Sequence, residues 1–484
     1  MNCPIPSQWP VNQTLGALAA LTRGRIVRGA HDCRVPALVH DTREDVRGAM
    51  FVAIAGENFD GHAFVARAAE SGALGALVSR EVDTAGLPAE FFVLRVDDTV
   101  QALGDLASAR RAAFAGPVIA VAGSSGKTTT KDMIAHVLSG RYRVHKTTGN
   151  FNNLIGLPLT LLGLCDAHQA AVVELGMNQP GELERLTQIA APTHAVLTNI
   201  GLAHVGMFAT EEDLIKAKAA FVIHAPARAV IVFNDDCPRS RRVLREHAAG
   251  RRALSVGSQA GADVEIRDVE ATADGYRFAL DLGGALWKAW LPGFGRYNLH
   301  NAAMAAAIAR EMGVSGEEFA EALARFQPHA LRSQIVTAGG VRIIADCYNA
   351  NPDSMAAALR SLLETPCDGR RFAVLGDMLE LGSGALEIHA RIGKMAAEAA
   401  GAAGGLDLLV SVGDLSRALS DAARQSGLET AHVGEAVEAA TRIAARVRPG
   451  DVVLFKGSRR MKLEDAVTAL CQTLNARIEP SCCC

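Results

Sequence analysis

The chain predicts an α/β fold in three domains, and three observations carry that prediction. The stretch Val121–Thr130, VAGSSGKTTT, follows the apolar run Pro117–Ala122 and precedes a segment of helical periodicity, which is the order of a strand, a phosphate-binding loop and a helix. Continuous apolar runs recur along the chain with helices between them, the pattern of parallel sheets covered on both faces. These runs fall into three series, and 484 residues, 49% of them hydrophobic, suffice for several cores. The predicted units are a small N-terminal α/β domain over 1–114, a central phosphate-loop domain on a parallel sheet over 115–326, and a Rossmann-like C-terminal domain over 327–484.

In the first unit, FVAIAG (51–56), ALGALVS (73–79) and FFVLRV (91–96) read as strands and 64–71 as an Ala-rich helix. In the second, AAVVEL (170–175), HAVLTNI (194–200) and RAVIVFN (228–234) are the expected strands. Residues 262–291 alternate instead, as in ADVEIRDVEA and YRFALDL, and suggest an antiparallel appendage. After the 327–334 segment come VRIIADCY, RRFAVLGDM, DLLVSVG and DVVLFKGS, spaced like successive βα units.

Composition excludes some partners. A formal charge of −3 and a pI near 6.5 give no basic balance of the kind that drives nonspecific nucleic-acid binding. The start, MNCPIPSQWP, lacks a basic and then apolar leader, and no run is long enough to span a membrane. A cytoplasmic monomer is expected. Cys3, Cys33, Cys165, Cys237, Cys347, Cys367 and Cys471 show no C-x-x-C spacing and read as reduced thiols, and Cys482–Cys484 as a frayed tail.

In the loop Gly123, Ser124, Ser125, Gly126, Lys127, Thr128 and Thr129, the glycines let backbone N–H groups turn onto phosphates. Lys127 neutralises phosphate charge, and the Thr128 hydroxyl suits Mg²⁺. Val121 stands where the general pattern has its first glycine, so only the second half of that pattern is matched. Glu174 closes AAVVEL and His204 follows HAVLTNI, which puts both at the carboxyl edge where open α/β sheets bind ligands. Each alone is an ordinary loop residue; with Thr128 they suggest a metal–phosphate site. Lys216 and Lys218, in EEDLIKAKAAFVIHA, read from periodicity as snorkelling surface residues.

These motifs together resemble the Mur ligase family over nearly the full length. HDTREDVRGAMFVAIAGENFDGHAF (40–64) is similar to its uridine-nucleotide-binding domain, GSSGKTTTKDM and KTTGNFNNLIGLPLTLL (146–162) to its ATPase core. VVELGMNQPGELERL, TNIGLAHVGMF, LPGFGRYNLHNAAMAAAIA, IADCYNANPDSM, VLGDMLELG and VLFKGSRRMKLE follow in family order. TGNFNN, the Tyr348–Ser354 run and GDMLELG resemble the branch that adds D-alanyl-D-alanine to UDP-N-acetylmuramoyl-tripeptide. An Asn-Pro-Arg signature of the diaminopimelate-adding sibling is absent near VSVGDLS.

The resemblance implies an ATP-dependent ligase working through an acyl phosphate, with Lys127, His204 and Lys218 as its catalytic set. It implies that Lys218 is carbamylated, that Thr128 and Glu174 hold one Mg²⁺, and that His204 and Lys218 hold a second near Glu174. Asn301 is carried over as an adenine contact, Arg332 in HALRSQ, rather than Arg325, as a phosphate contact, and Asp346 as a ribose contact. Thr42, Arg43, Asp60, His62, Asn150, Asn152 and Asn153 fall on segments that face the uridine-muramoyl-peptide substrate, and Tyr348 and Asn349 are implied as further substrate-binding residues. The competing readings are a sibling ligase with a different amino-acid substrate, a folylpolyglutamate-like ligase, against which alone the uridine-type N-terminal segment argues, and a nucleotide-binding homologue without turnover.

Overall fold

A computed structural model describes residues 9–56, 59–203, 205–400 and 405–476. Three sheets succeed one another along the chain. The first runs in the order 9–14, 34–39, 50–52, 75–78, 92–95, 25–28. Its middle strands are parallel, and both edge strands join antiparallel. The edges Trp9–Thr14 and Arg25–Arg28 are short and half polar, so periodicity did not mark them.

The second sheet is nine-stranded, and its parallel part holds the phosphate loop. Strand Val118–Ala122 lies between Ala170–Glu174 on one side and His194–Leu197 on the other. The loop that follows it therefore opens at the point where strand order reverses, the ligand crevice of such sheets. Apart from Glu174 and His194 at their ends the three strands are apolar because helices cover both faces, and Val118–Ala122 is buried throughout.

The alternating segment is antiparallel, as its pattern predicts, and it extends the second sheet. Val264–Ala271, Gly275–Leu282 and Ala285–Pro292 form an antiparallel meander, but the first of them pairs in parallel with Ala253–Gly257 and so continues the same sheet.

The third sheet has the order 334–338, 341–345, 452–456, 371–376, 406–412, 430–433. Its first two strands make a hairpin turned by Gly339 and Gly340 at φ 59° and 72°, a two-glycine turn whose twist suits the strands. The other pairings are parallel. Helix Thr99–Ala113 packs its buried Leu103 and Leu106 into a core shared by the first and second sheets. The described cysteines are unpaired thiols; Cys3 and Cys482–Cys484 lie outside the described residues. No helix among the described residues is long and apolar enough to cross a membrane.

Candidate active site

Helix Lys127–Leu138 starts at Gly126, whose φ of 81° only glycine adopts without strain. A Cβ at Gly126 would lie 2.6 Å from Asn301 Oδ1, and one at Gly123 would lie 2.0 Å from Thr198 Oγ1. Both glycines thus admit side chains from neighbouring elements against the loop. Asn301, on helix Asn298–Glu311, accepts from Thr130 Oγ1 at 3.0 Å and donates to Asn298 Oδ1 at 2.8 Å.

The loop is held from the strand His194–Leu197 side. Ser125 N–H donates to Asn199 Oδ1 at 3.0 Å, Asn199 Nδ2 and Thr198 Oγ1 donate back to the Ser125 carbonyl, and Ser124 N–H donates to the Asn199 carbonyl. Thr198 and Asn199 match no phosphate-binding motif, and the signal for them is only their place just after strand His194–Leu197, at the same sheet edge as the loop.

Lys127 Nζ folds over the loop and donates to the Gly123 carbonyl at 2.9 Å. Burial pulls its pKa below the ordinary lysine value, Glu174 opposes this and Arg332 adds to it. Glu174 is 2% exposed. Its Oε1 accepts from Asn152 Nδ2 at 2.9 Å, while Oε2 is buried without a hydrogen-bond partner. A desolvated, unpaired carboxylate oxygen beside a phosphate loop fits a hard cation such as Mg²⁺. No group of three His, Cys, Asp or Glu among the described residues could hold a metal, so a cation there would complete its shell with the Thr128 hydroxyl, phosphate oxygens and water.

Lys218 is not a snorkelling surface residue. It is 4% exposed on helix Glu211–His224, and Nζ donates to Ser124 Oγ at 2.6 Å. Burial first, then the neighbouring Lys127, lower its pKa to about 7, with Asp353 opposing. Periodicity misled because this face packs on the loop rather than on solvent. His204 lies outside the described residues.

The C-terminal unit reaches the loop through the NANPDS run. Asn351 Nδ2 donates to Ser125 Oγ at 2.9 Å, and Asp353 Oδ2 accepts from Leu202 N–H at 2.8 Å. Both stand in the Tyr348–Ser354 run, whose order alone does not show that they reach the loop. The Arg332 guanidinium stacks on the Tyr348 ring, 3.9 Å from its centre, whereas Arg325 is exposed beside Glu321. Asp346 is bound by Tyr297, Ser333 and Lys456; Asn349 is exposed.

The remaining predicted residues divide between local structure and open surface. His62 Nδ1 is 2.7 Å from Asp60 Oδ1, and its Nε2 accepts from Ser79 N–H at 2.9 Å. That arrangement makes Nδ1–H the donor to Asp60, which also pairs with Arg80. Arg43, 83% exposed, pairs with Asp41, whose pKa its hydrogen bonds lower to about 2. Thr42 is half-buried, Asn150 is exposed, and Asn153 Oδ1 accepts from Ile155 and Gly156 N–H.

Three family models match in order along the chain: "Mur ligase family, catalytic domain" over 38–111, "Mur ligase middle domain" over 121–309 and "Mur ligase, glutamate ligase domain" over 331–459. The chain belongs to the Mur ligase family. Among similar Mur ligases is a Bacillus subtilis protein named UDP-N-acetylmuramoyl-tripeptide–D-alanyl-D-alanine ligase, 33% identical over 467 residues, 96% of this chain and 99% of the relative. A crystal structure of MurF from Acinetobacter baumannii superposes with a TM-score of 0.86 at 32% identity, covering 96% of this chain and 100% of that one. MurF from Thermotoga maritima in complex with ADP gives 0.81 at 29% identity, covering 91% and 98%.

Proposed function

We infer that this Mur ligase joins D-alanyl-D-alanine to UDP-N-acetylmuramoyl-tripeptide at the expense of ATP, forming the UDP-muramoyl-pentapeptide precursor of peptidoglycan. The observation that carries the chemistry is the meeting, at one sheet edge, of the phosphate loop, Lys127 and the unpaired Glu174 oxygen. The end-to-end relationship to ligases of that name supports the substrates.

A carboxylate is a poor electrophile, because the oxygen it must lose is a poor leaving group. Its oxygen attacks the γ-phosphorus, ADP departs, and the resulting acyl phosphate is attacked at carbon by the dipeptide amine, which releases phosphate and a proton. Lys127 and the loop N–H groups stabilise charge on the phosphoryl oxygens, where positioning and electrostatics supply most of the catalysis. Mg²⁺, held by Glu174 and Thr128, would supply further charge neutralisation there. Gly123, Ser124, Ser125, Gly126 and Thr129 line the phosphates, Asn301 the adenine, Asp346 the ribose and Arg332 the phosphates from the C-terminal side.

Lys218 is our candidate for carbamylation: a buried amine near pKa 7 is neutral often enough to take up CO₂. The product is an anion that, with His204, would suit a second cation. Thr42, Arg43, Asp60, His62, Asn150, Asn152 and Asn153 face the UDP-tripeptide, with His62 and Asn153 acting through the loops they brace. Tyr348 and Asn349 stand on the dipeptide side. We divide the chain at 114 and 326, and take it to be a cytoplasmic monomer, testable by fractionation and sedimentation.

The test is phosphate release by the purified protein with ATP, Mg²⁺ and UDP-muramoyl-tripeptide, with and without D-alanyl-D-alanine, and the product mass. Dipeptide-dependent release with the pentapeptide mass is expected. Release driven by a single amino acid instead would move the assignment to a sibling ligase.

A further inference from the structure

The linker that carries Arg332 is pinned by polar contacts that phosphate chemistry alone leaves unexplained. Leu331 and Ser333 adopt left-handed conformations at φ 63° and 56°, which a leucine holds only when its surroundings impose them. The Leu331 carbonyl accepts from Tyr348 N–H at 3.0 Å. Ser333 N–H donates to Asp346 Oδ1 at 3.0 Å, and the Ser333 carbonyl accepts from Phe294 N–H at 3.3 Å. Arg332 sits between these anchors with its guanidinium stacked on Tyr348, and its charge is felt at Lys127.

Asp346 is the hub. Its Oδ2 accepts from Lys456 Nζ at 2.7 Å and from the Tyr297 hydroxyl at 3.1 Å. Lys456 is 3% exposed at the end of the neighbouring strand Val452–Lys456. Tyr297 comes from the central unit, just before the helix that places Asn301 against Gly126, and its hydroxyl also shares a 2.8 Å hydrogen bond with Ser333 Oγ. Asn298 Nδ2 reaches the same Ser333 Oγ at 3.3 Å. Hydrogen bonds thus run without a gap from Thr130 through Asn301, Asn298, Ser333 and Asp346 to Lys456.

We propose that Tyr297 and Lys456 are positioning residues: by both holding Asp346 Oδ2, one from the central unit and one from the neighbouring strand, they lock the Leu331–Ser333 turn in the conformation that presents Arg332, stacked on Tyr348, to the nucleotide phosphates beside Lys127. Arginine carries much rotamer freedom, and a turn fixed in advance removes that cost from nucleotide binding and phosphoryl transfer. Tyr297 ties the turn to the phosphate-loop domain, so the arginine of one unit is registered on the loop of the other. This inference rests on the reading of Arg332 as a phosphate contact.

The experiment is a double-mutant cycle in the full-length protein with Tyr297→Phe, Arg332→Ala and the pair, measuring kcat and KM for ATP and the melting point. Tyr297→Phe is expected to lower kcat/KM for ATP about tenfold in the wild-type background, the scale of one hydrogen bond to a charged group, and to have a much smaller further effect, the part that acts through the Asp346 ribose contact, once Arg332 is alanine. A merely structural tyrosine would act equally in both backgrounds, and that result would overturn the proposal. So would an unchanged kcat/KM in Tyr297→Phe. If Arg332→Ala is itself silent, the phosphate reading of Arg332 fails and takes the inference with it, an outcome distinct from an impaired Arg332→Ala with a silent Tyr297→Phe. Lys456→Met gives a second cycle against Arg332→Ala with the same expected pattern, should either variant fold poorly.

Discussion

The ε-amine of Lys218 donates a 2.6 Å hydrogen bond to the Ser124 hydroxyl and so ties helix Glu211–His224 to the phosphate loop. Ser124 passes the contact on, because its Oγ also accepts from Gly201 N–H at 2.8 Å. One hydroxyl therefore joins the loop, the helix and the segment after strand His194–Leu197.

Lys218 gives a pH prediction with a definite sign. Its folded pKa of about 7 lies below the ordinary lysine value of 10.5, so the unfolded chain binds more protons between those limits and stability rises with pH across that window. The cost of the buried amine is fully present below about pH 7. Lys218→Met should therefore be more stable than wild type at pH 6, by on the order of 1–3 kcal/mol after loss of the Ser124 bond, and so melt higher, with the gain shrinking towards pH 10. Thermal melts across pH check this. Ligase activity should be lost in Lys218→Ala and partly restored by short-chain carboxylates; full activity without them would sink the carbamate assignment.

Glu174→Gln keeps the size of the side chain and removes the charge of the unpaired Oε2. The Mg²⁺ concentration for half-maximal activity should rise at least about tenfold, while the metal-free protein changes little in stability, since the relief of a buried, unbonded carboxylate oxygen is offset by the loss of a charge that favours the Lys127 ammonium. A Mg²⁺ titration of phosphate release and a melt in chelator read the two effects.

Gly126→Ala sets a Cβ 2.6 Å from Asn301 Oδ1 at a φ of 81°. Left-handed strain costs about 1–2 kcal/mol, and the Thr130–Asn301 contact must give way as well. KM for ATP should rise about tenfold or more, with KM for the UDP substrate unchanged, as initial rates would show.

Asp60→Asn removes the ion pair with Arg80 and weakens the bond that orients His62. A lower melting point and a several-fold higher KM for UDP-muramoyl-tripeptide are expected, with KM for ATP unaffected. A change in ATP kinetics alone would remove this pair from the substrate side.

Three layered α/β units, the phosphate loop and the family were legible because each has a local signature: apolar runs for covered parallel strands, glycines before Lys127 and Thr128, motifs in a set order. Trp9–Thr14, Arg25–Arg28 and Thr430–Val433 were not, because a short edge strand is covered on too little of its surface to need an apolar pattern. The meander at 264–292 showed its alternation but not its attachment, since the sheet it extends is a matter of which strand lies alongside.

From the order of residues alone came the types of group available for the chemistry: a loop lysine, a strand-end carboxylate, an arginine in a linker. Which groups touch was decided only in three dimensions. Lys218 on Ser124, Asn351 on Ser125, Tyr297 on Asp346 and Asn301 against Gly126 join residues far apart in the chain, and no periodicity encodes such a distance. Packing of the helices and sheets brings those pairs together, and once water is excluded each buried polar group must take the partner that the fold leaves within reach.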